Sequence, residues 1–368
     1  MSERGARSAF LAALLFLAPP LPAVAEPAVT ILDLPFAASA LRGPGSEVAI
    51  AVATSGLLPL ARPKAAAPDW QAPIAVVWGE AGGAALALVD GRVSVTLLGR
   101  EAVEGLSAAE TPRGALPGVP RALSGGLSAH LAEPVTVQGR SPAGDLGAGA
   151  LVIRERKAVP MSAEPRAVPV ATATVAPAPD PAFALRVPRI AAFDGRPAIV
   201  AVSETGGGSS LAVVEPAEAG WSVRARGPAE PGKPLQVAAI ADFSGTGRPQ
   251  IAVTGPGEGG TRLRLWAYEG GALRALHAAP GYDAASPGEG GPGLSALLPR
   301  DGAVDLALPL ADRSALAVLS LEGAITERVR APLPAPAAFG IATLGTGPAA
   351  RLLVGLADGR IAVVNPNP

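Results

Sequence analysis

An all-β protein built from repeated antiparallel sheets is predicted by three features of the sequence. Residues 237–255 read VAAIADFSGTGRPQIAVTG, two apolar strands around the acidic, glycine-rich loop Asp242-Phe243-Ser244-Gly245-Thr246-Gly247. The second strand of that unit recurs with Ile199, Ile251, Leu306 and Leu352 at equivalent places, at spacings of roughly 46 to 55 residues, the period of propeller blades. Each copy runs on into a hairpin whose turn carries glycine, as in Glu269-Gly270-Gly271 and Glu322-Gly323, which supplies the positive φ of a tight connection. Two strands, a loop and a hairpin make a four-stranded blade, so the predicted fold is a β-propeller of four-stranded blades, six in number with seven as the alternative.

In chain order, residues 48–53 and 74–78 are predicted as strands separated by a Pro/Ala loop. Residues 84–89 and 92–98 follow as a hairpin around Asp90-Gly91. From 101 to 181 the spacing is irregular, with strands predicted at 135–138, 149–153 and 168–175 before a proline-rich connector at 177–181; this reads as an insertion-rich second blade. Hairpins are then predicted from 210–215 with 221–226, 262–268 with 272–276, and 315–321 with 324–329. The last unit, 339–344, 351–356 and 360–364, is one strand short. The segment 28–34, AVTILDL, is a strand without a hairpin partner. Placing it as the missing strand closes the ring and hides two open sheet edges at once.

Residues 1–25 carry the marks of an export signal. Arg4 and Arg7 precede a short apolar run that Pro19 and Pro20 break, and Ala23-Val24-Ala25 is a small-x-small site ahead of Glu26. The expected product is a single domain from 26 to 368, periplasmic or secreted and monomeric. No later stretch of about 18 residues is apolar enough to span a membrane. Cysteine is absent, which removes disulfides, thiol nucleophiles and cysteine metal sites together. Stability must therefore come from the core, and a hydrophobic fraction of 49% provides one. With 30 basic and 31 acidic residues and no basic run beyond Arg154-Glu155-Arg156-Lys157, the chain lacks the stripe that a nucleic-acid groove requires.

The loop from Asp242 to Ile251, D-F-S-G-T-G-R-P-Q-I, resembles the FG-GAP/VCBS repeats of integrin-α-like β-propellers. The resemblance implies a propeller whose loops hold calcium through acidic positions. Carried over, Asp242 and Ser244 would keep two ligand places, while Thr246 replaces a charged one and Gln250 the final carboxylate. The other loops depart further: Asp194-Gly195, Asp301-Gly302, and Gly345-Thr346-Gly347 with Arg351 at the last acidic place. Calcium needs six to eight oxygens, several of them carboxylates, and one Asp cannot offset its dehydration. The expectation is that Asp194, Asp242 and Asp301 cap their own turns through backbone N–H groups and that no metal or other cofactor is bound.

No catalytic residues are assigned. His130 and His277 have no metal or triad partner at recognisable spacing, and the glycine runs at 206–208 and 255–260 precede no Lys-Ser/Thr pair or helix start. One constellation remains. In Arg262-Leu263-Arg264-Leu265-Trp266-Ala267-Tyr268, strict alternation puts Arg262, Arg264, Trp266 and Tyr268 on one strand face. Such a face suits contact with a protein or glycan partner; inter-blade packing is the alternative. The function expected is an exported binding or interaction module without catalytic activity. The runner-up is an extracytoplasmic polysaccharide hydrolase or lyase working from the central channel, which carboxylates or a histidine at that channel would favour.

Overall fold

In the computed structural model, residues 28–56, 58, 73–138, 145–156, 168–288, 290–300 and 302–367 are described. The segment 1–25, read in sequence as an export signal, lies outside them. So do Asp301 and the connections at 59–72, 139–144 and 157–167.

The chain opens with β1 (Val29–Ile31), whose partner comes last. The first four-stranded sheet is β2 (Ala40–Arg42), β3 (Ile74–Gly79), β4 (Gly82–Val89) and β5 (Arg92–Leu98), paired in sequence order. Helix α1 (Glu47–Thr54) stands where a strand is predicted at 48–53, and the inner strand is β2 instead. Its apolar run is read locally by a cap: Ser46, in extended conformation, accepts a hydrogen bond from the Ala49 amide at 3.2 Å, which starts a helical turn. Val48, Ala49 and Val52 then fall on one face, packed against Ile74, Val76 and Ala85 of the sheet. A second helix, α2 (Arg100–Ser107), follows β5 and adds Val103 to that cluster.

The irregular stretch is a full meander of β6 (Ala122–Ser124), β7 (Leu127–Val137), β8 (Asp145–Arg156) and β9 (Val170–Val175). The predicted strands at 135–138 and 149–153 are parts of the much longer β7 and β8. After the proline connector, β10 (Ala182–Ala184) pairs with β8 on one side. On the other it pairs with the second strand of the next meander, β11 (Arg189–Phe193), β12 (Arg196–Glu204), β13 (Gly208–Ala217) and β14 (Gly220–Arg226), joining the two into a ten-stranded sheet. A short β15 (Glu230–Pro231) pairs with β13.

Two regular sheets follow. One is β16 (Gln236–Ala241), β17 (Gln250–Gly257), β18 (Gly260–Glu269) and β19 (Ala272–Pro280). The other is β20 (Ala296–Arg300), β21 (Ala303–Pro309), β22 (Ala315–Ser320) and β23 (Thr326–Pro332). The last sheet is β24 (Ala337–Leu344), β25 (Arg351–Leu356) and β26 (Ile361–Val364), and β1 completes it. β1 runs antiparallel to β26 with Val29 opposite Val364 and Ile31 opposite Ala362. Backbone bonds from Leu32 to Ile361 at 2.9 Å and from Asn365 to Ala28 at 3.0 Å extend the pairing at both ends.

The repeat extends to its irregularities. The hairpin register slips by one residue before Val214, Trp266 and Leu319 in three consecutive meanders. These residues lie opposite Ile199, Ile251 and Leu306, three of the places that align in sequence. A bulge raises local twist, and the same bulge in successive sheets gives each the same pitch.

First strands neighbour one another in succession, β2 with β24, β24 with β20, β20 with β16, β16 with β11 and β11 with β6, and the ion pairs Arg42–Glu110 and Arg121–Glu47 join the two ends of the series. Apolar clusters fill the spaces between successive sheets. Val213 and Val253 meet in one, Leu263 and Leu306 in the next, Leu316 and Leu352 in the third, and Leu353 and Leu86 in the fourth. A closed ring of antiparallel meanders packed face to face around inner first strands is a β-propeller.

Candidate functional site

The inner strands leave a central cavity of about 600 Å³. Its wall is small and apolar, with Ile190 of β11, Ala239 and Ile240 of β16, Leu297 of β20 and Ile341 of β24 among the lining residues. Two of the three hydroxyls on the wall, those of Ser295 and Thr343 but not Thr346, serve the ring itself. Ser295 Oγ donates to the Ala238 carbonyl at 2.7 Å and Thr343 Oγ1 to the Leu297 carbonyl at 2.6 Å, each tying one inner strand to its neighbour. Arg189, the first residue of β11, lines both this cavity and an adjoining one of about 360 Å³, which also share Gly43, Pro44, Ile190, Ser295 and Ile341. It is half-buried; its Nε is fully buried and has no hydrogen-bond partner among the described residues. Burial pulls its guanidinium below the ordinary value, with no carboxylate opposing that shift.

The second cavity carries four charged residues besides Arg189, and they are paired. Arg42 Nε lies 2.9 Å from both carboxylate oxygens of Glu110 and stacks over Trp78 with 5.3 Å from its Cζ to the ring centroid. Arg121 holds Glu47 through Nε at 2.7 Å and through a terminal nitrogen. Glu110 is buried, and desolvation raises its pKa above the ordinary value despite Arg42. These pairs bridge the first sheet and its helices to the start of β6, where the ring closes between the first and second meanders. A wider groove of about 920 Å³ among the loops is mixed in charge, with Lys233 and Arg313 facing Asp145 and Asp283.

The strand face singled out in sequence is on β18. Trp266 and Tyr268 are buried in the cluster between this sheet and the preceding one, and Tyr268 meets Phe193 edge-on with ring centroids 5.1 Å apart. Burial, and next the facing carboxylate of Glu215, push the Tyr268 phenol up to about 12. Arg264 donates to Glu230 at 3.2 Å and to the Pro256 carbonyl at 2.7 Å. Arg262 is half-buried with its Nε enclosed. All four residues thus share one face, and the two aromatic rings are turned into the inter-sheet core.

In the glycine-rich loop, Asp242 accepts from the Thr246 amide at 3.1 Å and the Gly247 amide at 2.6 Å, capping its own turn as expected. Asp194 works differently. With φ of 48° beside Gly195 at 75°, it forms a two-residue turn between Phe193 and Arg196 and acts through its backbone. Asp305, at the place equivalent to Gln250, is buried between Arg300 at 3.4 Å and Arg328 at 2.5 Å. Arg351, at the same place in the last sheet, donates to the Ala349 and Ala350 carbonyls, both at 2.9 Å. No group of three or more His, Asp or Glu side chains is placed to hold a metal ion among the described residues. His130 is buried on β7, where burial and then Arg154 and Arg121 lower its pKa; His277 is exposed on β19.

Arg189 is the residue that sequence reasoning missed. It follows Pro188 on an ordinary-looking short strand, and only ring closure places it in the channel.

No protein-family model matches the chain, and no curated protein matches it in sequence. Among solved structures, a Trypanosoma rangeli sialidase in complex with sialic acid is similar over 80% of this chain and 52% of its own, at 11% identity and a TM-score of 0.37. The chain thus spans about half the length of that enzyme. The C-terminal WD40 domain of Sif2 is similar over 79% of this chain and 92% of its own, at 10% identity and a TM-score of 0.40. At these identities and scores neither neighbour bears on what this chain binds, and the fold assignment rests on the chain's own strand pairing: the protein is a β-propeller.

Proposed function

We propose that this chain is an exported binding module, a monomeric six-bladed propeller whose loops are degenerate relatives of FG-GAP/VCBS repeats and whose ligand is held without being transformed. One observation carries the preference for binding over catalysis. Glu47 and Glu110, the carboxylates lining the channel among the described residues, are each engaged by an arginine, Arg121 and Arg42. A general acid or base must be free to exchange a proton with substrate. The remaining wall is aliphatic, which suits a ligand site, and a rigid ring presenting many loops suits recognition. The small-x-small site at Ala23-Val24-Ala25 supports export to the periplasm or beyond.

The test combines retention with turnover. Immobilised mature protein is exposed to extract from the exported fraction and to a panel of polysaccharides, and the eluate is assayed for new reducing ends and unsaturated uronates. Retention of a ligand with neither product is the expected result. Release of either product would make the chain the hydrolase or lyase of the competing reading.

A further inference from the structure

Arg189 stands apart from the other channel arginines. Arg42 and Arg121 are each neutralised by a glutamate, whereas Arg189 has no partner among the described residues, an enclosed Nε, and an aliphatic wall around it. An unpaired charge drawn out of water is costly unless something compensates it. It also sits where both cavities meet, so an occupant of either would reach it.

We infer that the central channel binds the carboxylate of a small organic acid with an apolar body, Arg189 receiving the carboxylate and Ile190, Ile240, Leu297 and Ile341 enclosing the hydrocarbon. The inference rests on the channel being a binding rather than a catalytic site. A planar guanidinium matches a carboxylate through paired N–H donors. A phosphate dianion would call for a second free cation, and the two nearest candidates are already spent on Glu110 and Glu47. A sugar would call for free hydroxyl partners and a stacking ring. Ser295 and Thr343 already donate to backbone carbonyls, which leaves Thr346 as the one lining hydroxyl of the central cavity without a hydrogen-bond partner among the described residues, and the lining residues include no aromatic side chain.

The experiment is a calorimetric and thermal-melt titration of the mature protein with octanoate, against octanol, octylamine, glucuronate and inorganic phosphate. Octanoate is expected to bind saturably and raise the melting temperature; octanol and octylamine are expected to do neither. Arg189→Met should weaken octanoate at least tenfold while melting at or above the parent temperature, because it removes an unpaired, partly buried charge. Arg189→Lys, which keeps the charge and loses the fork, should fall between the two. Absence of saturable octanoate binding, or binding that survives Arg189→Met, overturns the inference. So does glucuronate or phosphate binding as tightly as octanoate, since the apolar wall would then play no part. These outcomes leave the binding reading standing if a ligand is still retained without turnover; product release alone overturns that reading.

Discussion

The side-chain amide of Gln250 donates to the hydroxyl of Ser244 at 2.6 Å, across the centre of the loop where the resembling repeats would place an ion. Its carbonyl oxygen accepts from the Phe243 amide at 2.8 Å, so one neutral side chain joins both ends of the loop. Asp242 is engaged from the other side by the Thr246 and Gly247 amides and by the Ser244 hydroxyl at 3.3 Å. The loop is closed by protein donors. Millimolar calcium or EDTA is therefore expected to leave the melting temperature unchanged, because an ion that bound only the folded state would raise it by mass action. A reproducible rise of several degrees with calcium in differential scanning calorimetry would contradict this account.

Closure of the ring depends on β1. It covers the edge of β26, whose four residues are all buried, and its neighbours Leu32 and Leu34 pack on the adjoining cluster with Leu86 and Leu353. Deleting residues 28–34 exposes that edge and uncovers apolar surface between two sheets. The truncated protein is expected to lose its single cooperative melt or to self-associate in sedimentation. A deletion variant that stays monomeric and melts like the parent would show that the ring holds without this strand.

The repeat was legible because its signals are local. Asp90-Gly91 adopts φ of 50° and 74° between Val89 and Arg92, as a two-residue hairpin turn requires, and the closing strand announced itself as an unpaired apolar segment. Helix α1 was misread because in Val48-Ala49-Ile50-Ala51-Val52-Ala53 β-branched residues alternate with alanine as in a strand, with no polar face to show the helical period. The available signal was Ser46 as a cap followed by a continuous apolar run. The channel was not legible, since no motif marks Arg189. What makes it unusual is the missing partner, a property of the assembled ring.

Trp266 has structural equivalents that explain its burial. Val214 and Leu319 occupy its place in the neighbouring sheets, each after the same register slip and each buried. Aligning the repeats through this position would have marked it as core. Trp266→Ala with Arg264→Ala is expected to destabilise the fold by about 3–5 kcal/mol, the range for truncating a large buried aromatic, with the lost Arg264–Glu230 contact adding to it. Chemical denaturation of the double variant checks this. A variant as stable as the parent that no longer retains its ligand would instead make this face the contact surface.

Acid should weaken the sheet containing β23 in part through Glu327. Glu327 accepts from Arg330 at 2.7 and 2.8 Å and from the Tyr282 hydroxyl at 3.0 Å. The Arg330 bonds, then the Tyr282 bond working against desolvation, hold its pKa below the ordinary value of 4.5. A folded-state pKa below the unfolded one means stability that is present above the unfolded value and lost as pH falls through the folded one. The contribution is therefore complete at neutral pH and disappears progressively below 4.5. Glu327→Gln cannot ionise, so its stability is expected to vary less with pH across that window, and the difference from the parent should shrink as the acid limit is approached. Denaturant midpoints measured from pH 7 downward distinguish the two, and a constant difference at every pH would mean that Glu327 contributes through shape and neutral hydrogen bonding rather than through its charge.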